Sequence, residues 1–332
     1  MKRIQLSHGG GGEEMDALIR DLFYRHFSND TLLRSEDAAV LEINGKIAFT
    51  TDSYTVTPLF FNGGDIGKIA VAGTLNDLAM IGARPLYLSC AFIIEEGLPY
   101  ETLERIVLSM KEELSKGNAK IVCGDTKVVP KGSVDQLFIN TSGIGEIVLS
   151  SLSAHNIQED DILIVSRDIG AHGATILASR EGIDIESALS SDCATLWPVV
   201  EALIADGIRV HAMRDATRGG MAAVLNEWAG ASEICLEIEE NSVPIRDEVR
   251  GICELLGMEP FEFANEGTFI LAIHPFDAQR AIDVLHRFQM STNAAIIGRA
   301  TTYKAGRVIL KSAWGSSRYL ERPKGELLPR IC

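Results

Sequence analysis

Val71-Ala72-Gly73-Thr74-Leu75-Asn76-Asp77-Leu78-Ala79-Met80-Ile81-Gly82-Ala83-Arg84-Pro85 is the stretch on which the fold reading turns. Its Ala, Gly and Leu residues are spaced for close packing and extend a helix expected from Gly64 to Ala83. Arg84-Pro85 ends it, because proline cannot continue a helix. Asn76 and Asp77 are polar residues inside this apolar run. Taken singly, an Asp of this kind is more simply a cap or turn residue than a ligand.

The elements around the helix alternate in type. Upstream, apolar residues at Met15, Leu18, Ile19, Leu22, Phe23 and Phe27 predict a helix over Glu13–Phe27. Two strand-like runs, Ala38–Ile43 and Ile47–Thr51, flank Asn44-Gly45, a strong hairpin signal. Glu36-Asp37 precede the first run and Asp52 follows the second. Downstream come a strand over Leu86–Ile94, an amphipathic helix over Pro99–Lys116, a strand over Lys120–Cys123 that runs into Gly124-Asp125-Thr126-Lys127, and a strand over Leu137–Ile147. The order is mixed, so a purely parallel doubly wound sheet is not expected. Val148–Glu159 is polar and turn-rich and marks a boundary. A second α/β unit follows, with strands over Asp161–Ser166, Val210–Met213, Cys235–Ile238, Thr268–Ile273 and Ala294–Ile297. Its helices lie over His172–Glu181, Thr195–Ala205, Met221–Ala229 and Phe276–Phe288. The domains expected are 1–148 and 159–311, with a mobile tail over 312–332. Within that tail Trp314–Glu326, rich in Gly, Ser, Pro and charge, reads as an arm.

The chain has 332 residues, 46% of them hydrophobic and 6% aromatic, which fits an α/β protein of two domains. A net charge of -15 argues against a nucleic-acid surface. No run reaches transmembrane length, and the N-terminus does not read as a signal peptide. The 6 Cys form no CxxC pair, so neither a zinc knuckle nor a disulfide framework is signalled. Cys90, Cys123 and Cys235 fall in apolar runs and read as reduced core residues. A cytoplasmic enzyme is expected.

No standard nucleotide motif is present. Asn62-Gly63-Gly64-Asp65-Ile66-Gly67-Lys68-Ile69 fails as a P-loop, since Asn62 replaces the first Gly and Ile69 the hydroxyl residue. What remains is a set of acids at element ends: Asp37, Asp52, Asp77, Asp125 and Asp215. Several aspartates converging on a triphosphate suit Mg²⁺, which takes hard oxygen ligands. Lys127 and Arg218 are the matching cations, the latter following Thr217 at a helix start where backbone N–H groups favour anions. Gly9, Gly10, Gly11 and Gly12 follow Ser7-His8 and can approach a ligand closely, or form a disordered lead. Glu266 is a cap or a general base. Cys332, the last residue, carries a thiol beside a carboxylate that disfavours the thiolate. It is not a prenylation site, which needs Cys four from the end. A nucleophile there needs a base where it docks.

Glu36-Asp37-Ala38-Ala39-Val40, Thr50-Thr51-Asp52-Ser53, Val71 to Pro85, Gly124 to Val129, and Asp215-Ala216-Thr217-Arg218-Gly219-Gly220 together resemble the aminoimidazole-ribonucleotide-synthetase-like (PurM-like) ATP-binding superfamily. Ser7 to Gly12 and Pro329-Arg330-Ile331-Cys332 resemble one family within it, the hydrogenase-maturation carbamoyl dehydratases (HypE). The resemblance implies an α/β (α+β) fold of two PurM-like domains, the N-terminal sheets of two copies closing as a barrel in a homodimer. It implies ATP under the glycine-rich N-terminus, Mg²⁺ on Asp37, Asp52, Asp77 and Asp215, and phosphates at Asp125, Thr126 and Lys127. It implies that HypF carbamoylates Cys332, that ATP drives dehydration to a thiocyanate, and that cyanide passes to iron on a HypC–HypD complex; that dehydration needs a base for the amide N–H protons, and Glu266 is the candidate. Two other readings stay open on the residues alone: a synthetase or kinase acting on a free small molecule, and a nucleotide-sensing scaffold whose tail only docks a partner.

Overall fold

The computed structural model describes residues 2–36, 38–183, 189–324 and 330–332. The chain starts with a helical run made of α1 (Glu13–Leu18), a π-helical segment (Ile19–Tyr24) and α2 (Arg25–Phe27), as the apolar spacing predicts. It keeps Leu18, Leu22, Phe23 and Phe27 buried.

The first sheet is built from β1 (Ile47–Tyr54), β4 (Ala83–Glu95), β5 (Lys120–Val129) and β6 (Leu137–Ile147), in the order β1-β6-β4-β5. Only β4 and β5 run parallel. The short pair β2 (Phe60–Phe61) and β3 (Gly64–Asp65) leads into helix α3 (Ile66–Met80), and α4 (Tyr100–Gly117) lies against it. Asp65 caps α3 by accepting from the N–H groups of Gly67 and Lys68 at 2.8 and 3.1 Å. The P-loop look-alike is therefore a helix cap, and Lys68 Nζ donates to the Gly63 carbonyl at 2.9 Å. α3 is buried on almost every side, wedged between sheet and α4. Gly67 makes that wedge possible: a Cβ there would lie 2.6 Å from the Ile106 carbonyl oxygen of α4.

The second sheet follows from β7 (Ile162–Val165), α5 (Ala171–Glu181), α6 (Trp197–Ala205), β8 (Val210–Asp215), α7 (Gly220–Ser232), β9 (Cys235–Glu239), α8 (Asp247–Leu256), β10 (Phe269–Ile273), α9 (Ala278–Leu285), β11 (Ala295–Thr301), β12 (Val308–Lys311) and β13 (Ser317–Tyr319). Its strand order is β13-β12-β9-β11-β7-β10-β8. One face packs on α7 through Met221, Leu225 and Trp228, and the other on α6 and α9 through Trp197, Leu203 and Leu285. Asn76 of α3 ties the two units together. Its amide donates to the Ala194 carbonyl at 3.0 Å and its oxygen accepts from the Leu196 N–H at 2.8 Å.

Four expectations change. Ala38–Ile43 is not a strand, so Asn44-Gly45 closes no hairpin; β1 pairs with β6 instead. Gly124 to Lys127 does not follow the strand but is part of it, because β4 offers a paired neighbour as far as Glu95. Cys123 is exposed rather than core. The register of β5 slips beside Leu88/Ser89, so Ile121 and Val122 are both buried and the alternation beyond them is inverted. Finally, part of the expected arm is sheet: β13 pairs with β12 through Ile309↔Tyr319 to Lys311↔Ser317.

Candidate active site

The site forms where the helix wedge meets both sheets. β1 presents alternate residues to α3, and Asp52 is on that inward face. Asp77 of α3 accepts from Thr50 Oγ1 at 2.6 Å. Asp215 ends β8, where the chain turns through Gly219 and Gly220 into α7. Both glycines have positive φ, +76° and +60°, and a Cβ on Gly220 would lie 2.5 Å from the Phe263 carbonyl oxygen. Thr217 and Arg218 are held at this turn. Glu266 follows Asn265, whose amide nitrogen donates to the Ala216 carbonyl at 2.7 Å.

The last residues close the site. Residues 330–332 run antiparallel to Thr55–Thr57: the Thr55 N–H donates to the Cys332 carbonyl at 2.9 Å and the Thr57 N–H to the Arg330 carbonyl at 3.4 Å. Buried His172 donates through Nε2 to the Ile331 carbonyl at 2.8 Å, and Arg180 donates to the Arg330 carbonyl. Burial pushes the His172 imidazole below its usual range, so it stays neutral. That leaves Nδ1 to accept from Ser191 Oγ at 2.8 Å. Arg330 pairs with Asp135 at 2.7 Å, and Ile331 is buried in the first core.

Asp52, Asp77, Asp215, Thr217, Arg218, Glu266 and Cys332 thereby line one cavity of about 30 Å³, with Ser53, Tyr54 and Gly73. One water needs roughly 10–15 Å³ of such space, so the cavity takes a group of two or three heavy atoms and no triphosphate. Its electrostatics are those of acids short of a cation. Burial raises Asp52, and Asp77 raises it further against the pull of Arg218. Burial also raises Asp77. Asp215 is pushed up to about 7 by burial and then by Asp77. Burial, with Asp192, Asp215 and Asp52, lifts Glu266 far above the carboxylate range. Burial and Glu266 push the Cys332 thiol up to about 12, so it is protonated where it docks.

Among the described residues no three acids stand close enough to hold an ion unaided. Mg²⁺, however, keeps waters and takes phosphate oxygens alongside one or two carboxylates. Buried carboxylates that raise one another's pKa fit that kind of ion. Asp37 lies outside the described residues.

The remaining expected residues are elsewhere. Gly9 packs on β5, where a Cβ would lie 2.5 Å from the Val128 nitrogen. Asp125 and Thr126 line a separate cleft with Glu36 and Ala38, and Lys127 is exposed, 3.9 Å from Asp125. Thr126 is buried while Asp125 and Lys127 are exposed, on the sheet face opposite Asp52 and across the sheet's width from it. Sequence reading missed Tyr54, His172, Arg180 and Asp192. Asp192 accepts from the N–H groups of Glu266 and Gly267 at 3.0 and 2.9 Å. Each stands in an ordinary apolar or polar context with no motif to mark it.

Residues 35–147 match the AIR synthase related protein N-terminal domain and residues 158–311 the corresponding C-terminal domain. The carbamoyl dehydratase HypE of Escherichia coli (strain K12) is 46% identical over 100% of both chains. A crystal structure of the hydrogenase maturation protein HypE in complex with ATP is 44% identical, covers 99% of each chain and superposes with a TM-score of 0.95. A crystal structure of a HypE–HypF complex is 42% identical, covers 92% of this chain and 100% of that one, and gives a TM-score of 0.81. The mixed-sheet, two-unit fold and the resemblance read from the motifs agree with these likenesses, and the chain belongs to the HypE family of carbamoyl dehydratases.

Proposed function

We propose that this chain uses ATP to dehydrate an S-carboxamide on Cys332 to a thiocyanate, the source of cyanide for iron in [NiFe]-hydrogenase assembly. The observation that carries the reading is the docked last residue, its sulfur closed into a cavity with Glu266, Arg218 and the aspartates. A carboxamide adds three heavy atoms to the sulfur, which is what the cavity admits.

A carboxamide oxygen is a poor leaving group, and phosphoryl transfer to it makes a good one. ATP with Mg²⁺ supplies that phosphoryl group; Asp52, Asp77 and Asp215, with Asp37, are the residues that would hold the ion. Arg218 offsets charge developing on the transferred group. Both N–H protons leave as the C≡N bond forms and phosphate departs. Glu266 takes one of them and the departing phosphate the other, and the buried setting of Glu266 makes it a stronger base once ionised than an exposed carboxylate. The seal made by His172, Arg180 and Thr55 keeps water from the activated carbon. Gly9 to Gly12, Asp125, Thr126 and Lys127 lie across the sheet from Asp52 within one chain, so they are assigned to the nucleotide bound by a second copy of the chain, at the cleft beside β5.

Three partners follow from this reading. HypF, which a relative binds, is the carbamoyl donor, and a HypC–HypD complex receives the cyanide. A second copy of the chain is the third. The face of the first sheet away from α3 leaves Ile47 and Phe49 51% and 66% exposed, which supports a homodimer in which two such faces meet. No described helix is long and apolar enough to cross a membrane, and the cytoplasm is the compartment proposed.

The test is to load Cys332 with a carbamoyl donor, add magnesium and ATP, and weigh the terminal peptide. The expected result is loss of one water from the carboxamide peptide, with phosphate release absent in Cys332→Ala. Full ATP turnover by Cys332→Ala with a small acceptor would replace this reading with that of a free-substrate kinase.

A further inference from the structure

Tyr54 closes β1 with its side chain toward α3, and it is 3% exposed. Its hydroxyl reaches the cavity because residue 73 is glycine: a Cβ there would lie 2.4 Å from Tyr54 Oη. Neighbouring hydroxyls fix the direction of its hydrogen bond. Thr141 Oγ1 donates to the Ala70 carbonyl at 3.1 Å, so it can only accept from Thr74 Oγ1 at 2.5 Å. Thr74 thus uses its proton on Thr141, and toward Tyr54 Oη, 3.3 Å away, it can only accept. The Tyr54 proton therefore goes to Thr74. Tyr54 Oη therefore keeps acceptor capacity that no hydrogen bond among the described residues uses, and Tyr54 lines the same cavity as Cys332.

A buried acceptor in this position wants a donor. The thiol is a weak one. An S-carboxamide on the same sulfur carries an NH₂ group and fits the free volume. Resting on the function proposed above, we infer that Tyr54 is a catalytic residue that accepts a hydrogen bond from the amide nitrogen of the Cys332 S-carboxamide. This contact fixes which end of the planar group is nitrogen. One N–H is held by Tyr54, the other is left for Glu266, and the carboxamide oxygen is turned toward Arg218 and the phosphoryl donor.

The experiment uses the full chain with a carbamoylated tail, as wild type and as Tyr54→Phe, which keeps the ring in its pocket. Thiocyanate formation in a single turnover should slow about tenfold, the loss expected for one hydrogen bond to the substrate, while ATP affinity and the unfolding midpoint stay unchanged. A second measurement needs no ATP. Carbamoylation of wild type should slow carboxypeptidase digestion of the tail, and Tyr54→Phe should lose that added protection. A variant with wild-type turnover and wild-type protection would overturn the assignment, as would one that loses ATP binding. If wild type itself makes no thiocyanate, the proposed function fails instead, and Tyr54 with it.

Discussion

Removing the Ile331 side chain should open the site without unfolding the body. Ile331 is 4% exposed and packs in the first core, while the residues around it are held by the Thr55 and Thr57 N–H groups, His172 and Arg180. Ile→Ala in a core costs about 2–5 kcal/mol, and the low end applies where a chain end can simply leave. At about 2–2.8 kcal/mol, with each 1.4 kcal/mol a factor of ten, the open population should rise roughly 30- to 100-fold. Cys332 reports this directly. Docked, its thiol is pushed up to about 12; released, it returns to the ordinary range near 8.5 and reacts readily at pH 8. Modification by an aromatic disulfide reagent at pH 8 should therefore speed up by the same 30- to 100-fold in Ile331→Ala. Cys332→Ala supplies the background from exposed Cys123. An unchanged thiol rate, or a lowered unfolding midpoint with no change in thiol rate, would refute the reasoning.

Three further outcomes are expected. Asp215 has a folded pKa near 7 against an ordinary 3.8, so ionising it costs the folded state. In EDTA, stability should fall by up to about 4 kcal/mol as pH rises from about 4 to 7 and level off above; Asp215→Asn or added Mg²⁺ should flatten the curve in a pH series of urea melts. Glu266→Gln should fold and bind ATP yet stall before thiocyanate, and a normal yield of cyanide-bearing peptide would remove Glu266 from the chemistry. Gly67→Ala should cost about 1–3 kcal/mol, because the new methyl meets the Ile106 backbone and the Met110 side chain at 2.6 and 2.8 Å; an unmoved denaturation midpoint would mean that α3 and α4 are less tightly wedged than described.

The sequence was most legible where local pattern and tertiary partner agree. Leu137–Ile147 alternates cleanly and is a central strand, so its bounds are as expected. Ala38–Ile43 alternates as well, but a strand exists only when a neighbour pairs with it, and none of the described residues does. Cys123 shows the opposite failure: a single slip in register, invisible in composition, reversed its face. α8 has buried Val249, Ile252 and Cys253 at helical spacing and was passed over because the stretch is short and charged. At the site, motifs point to Asp52, Asp77, Asp215 and Arg218, and the need for a base points to Glu266; these converge with Cys332. Tyr54, His172 and Asp192 act through contacts made by residues far apart in the chain, which no local pattern encodes.

The way the last residues dock leaves little tolerance for a change in length among them. Residues 330–332 sit in register with Thr55–Thr57, so a one-residue slip would exchange Ile331 and Cys332 between core and cavity. Inserting or deleting one residue among the last three would therefore leave a sulfur that can no longer reach its chemistry.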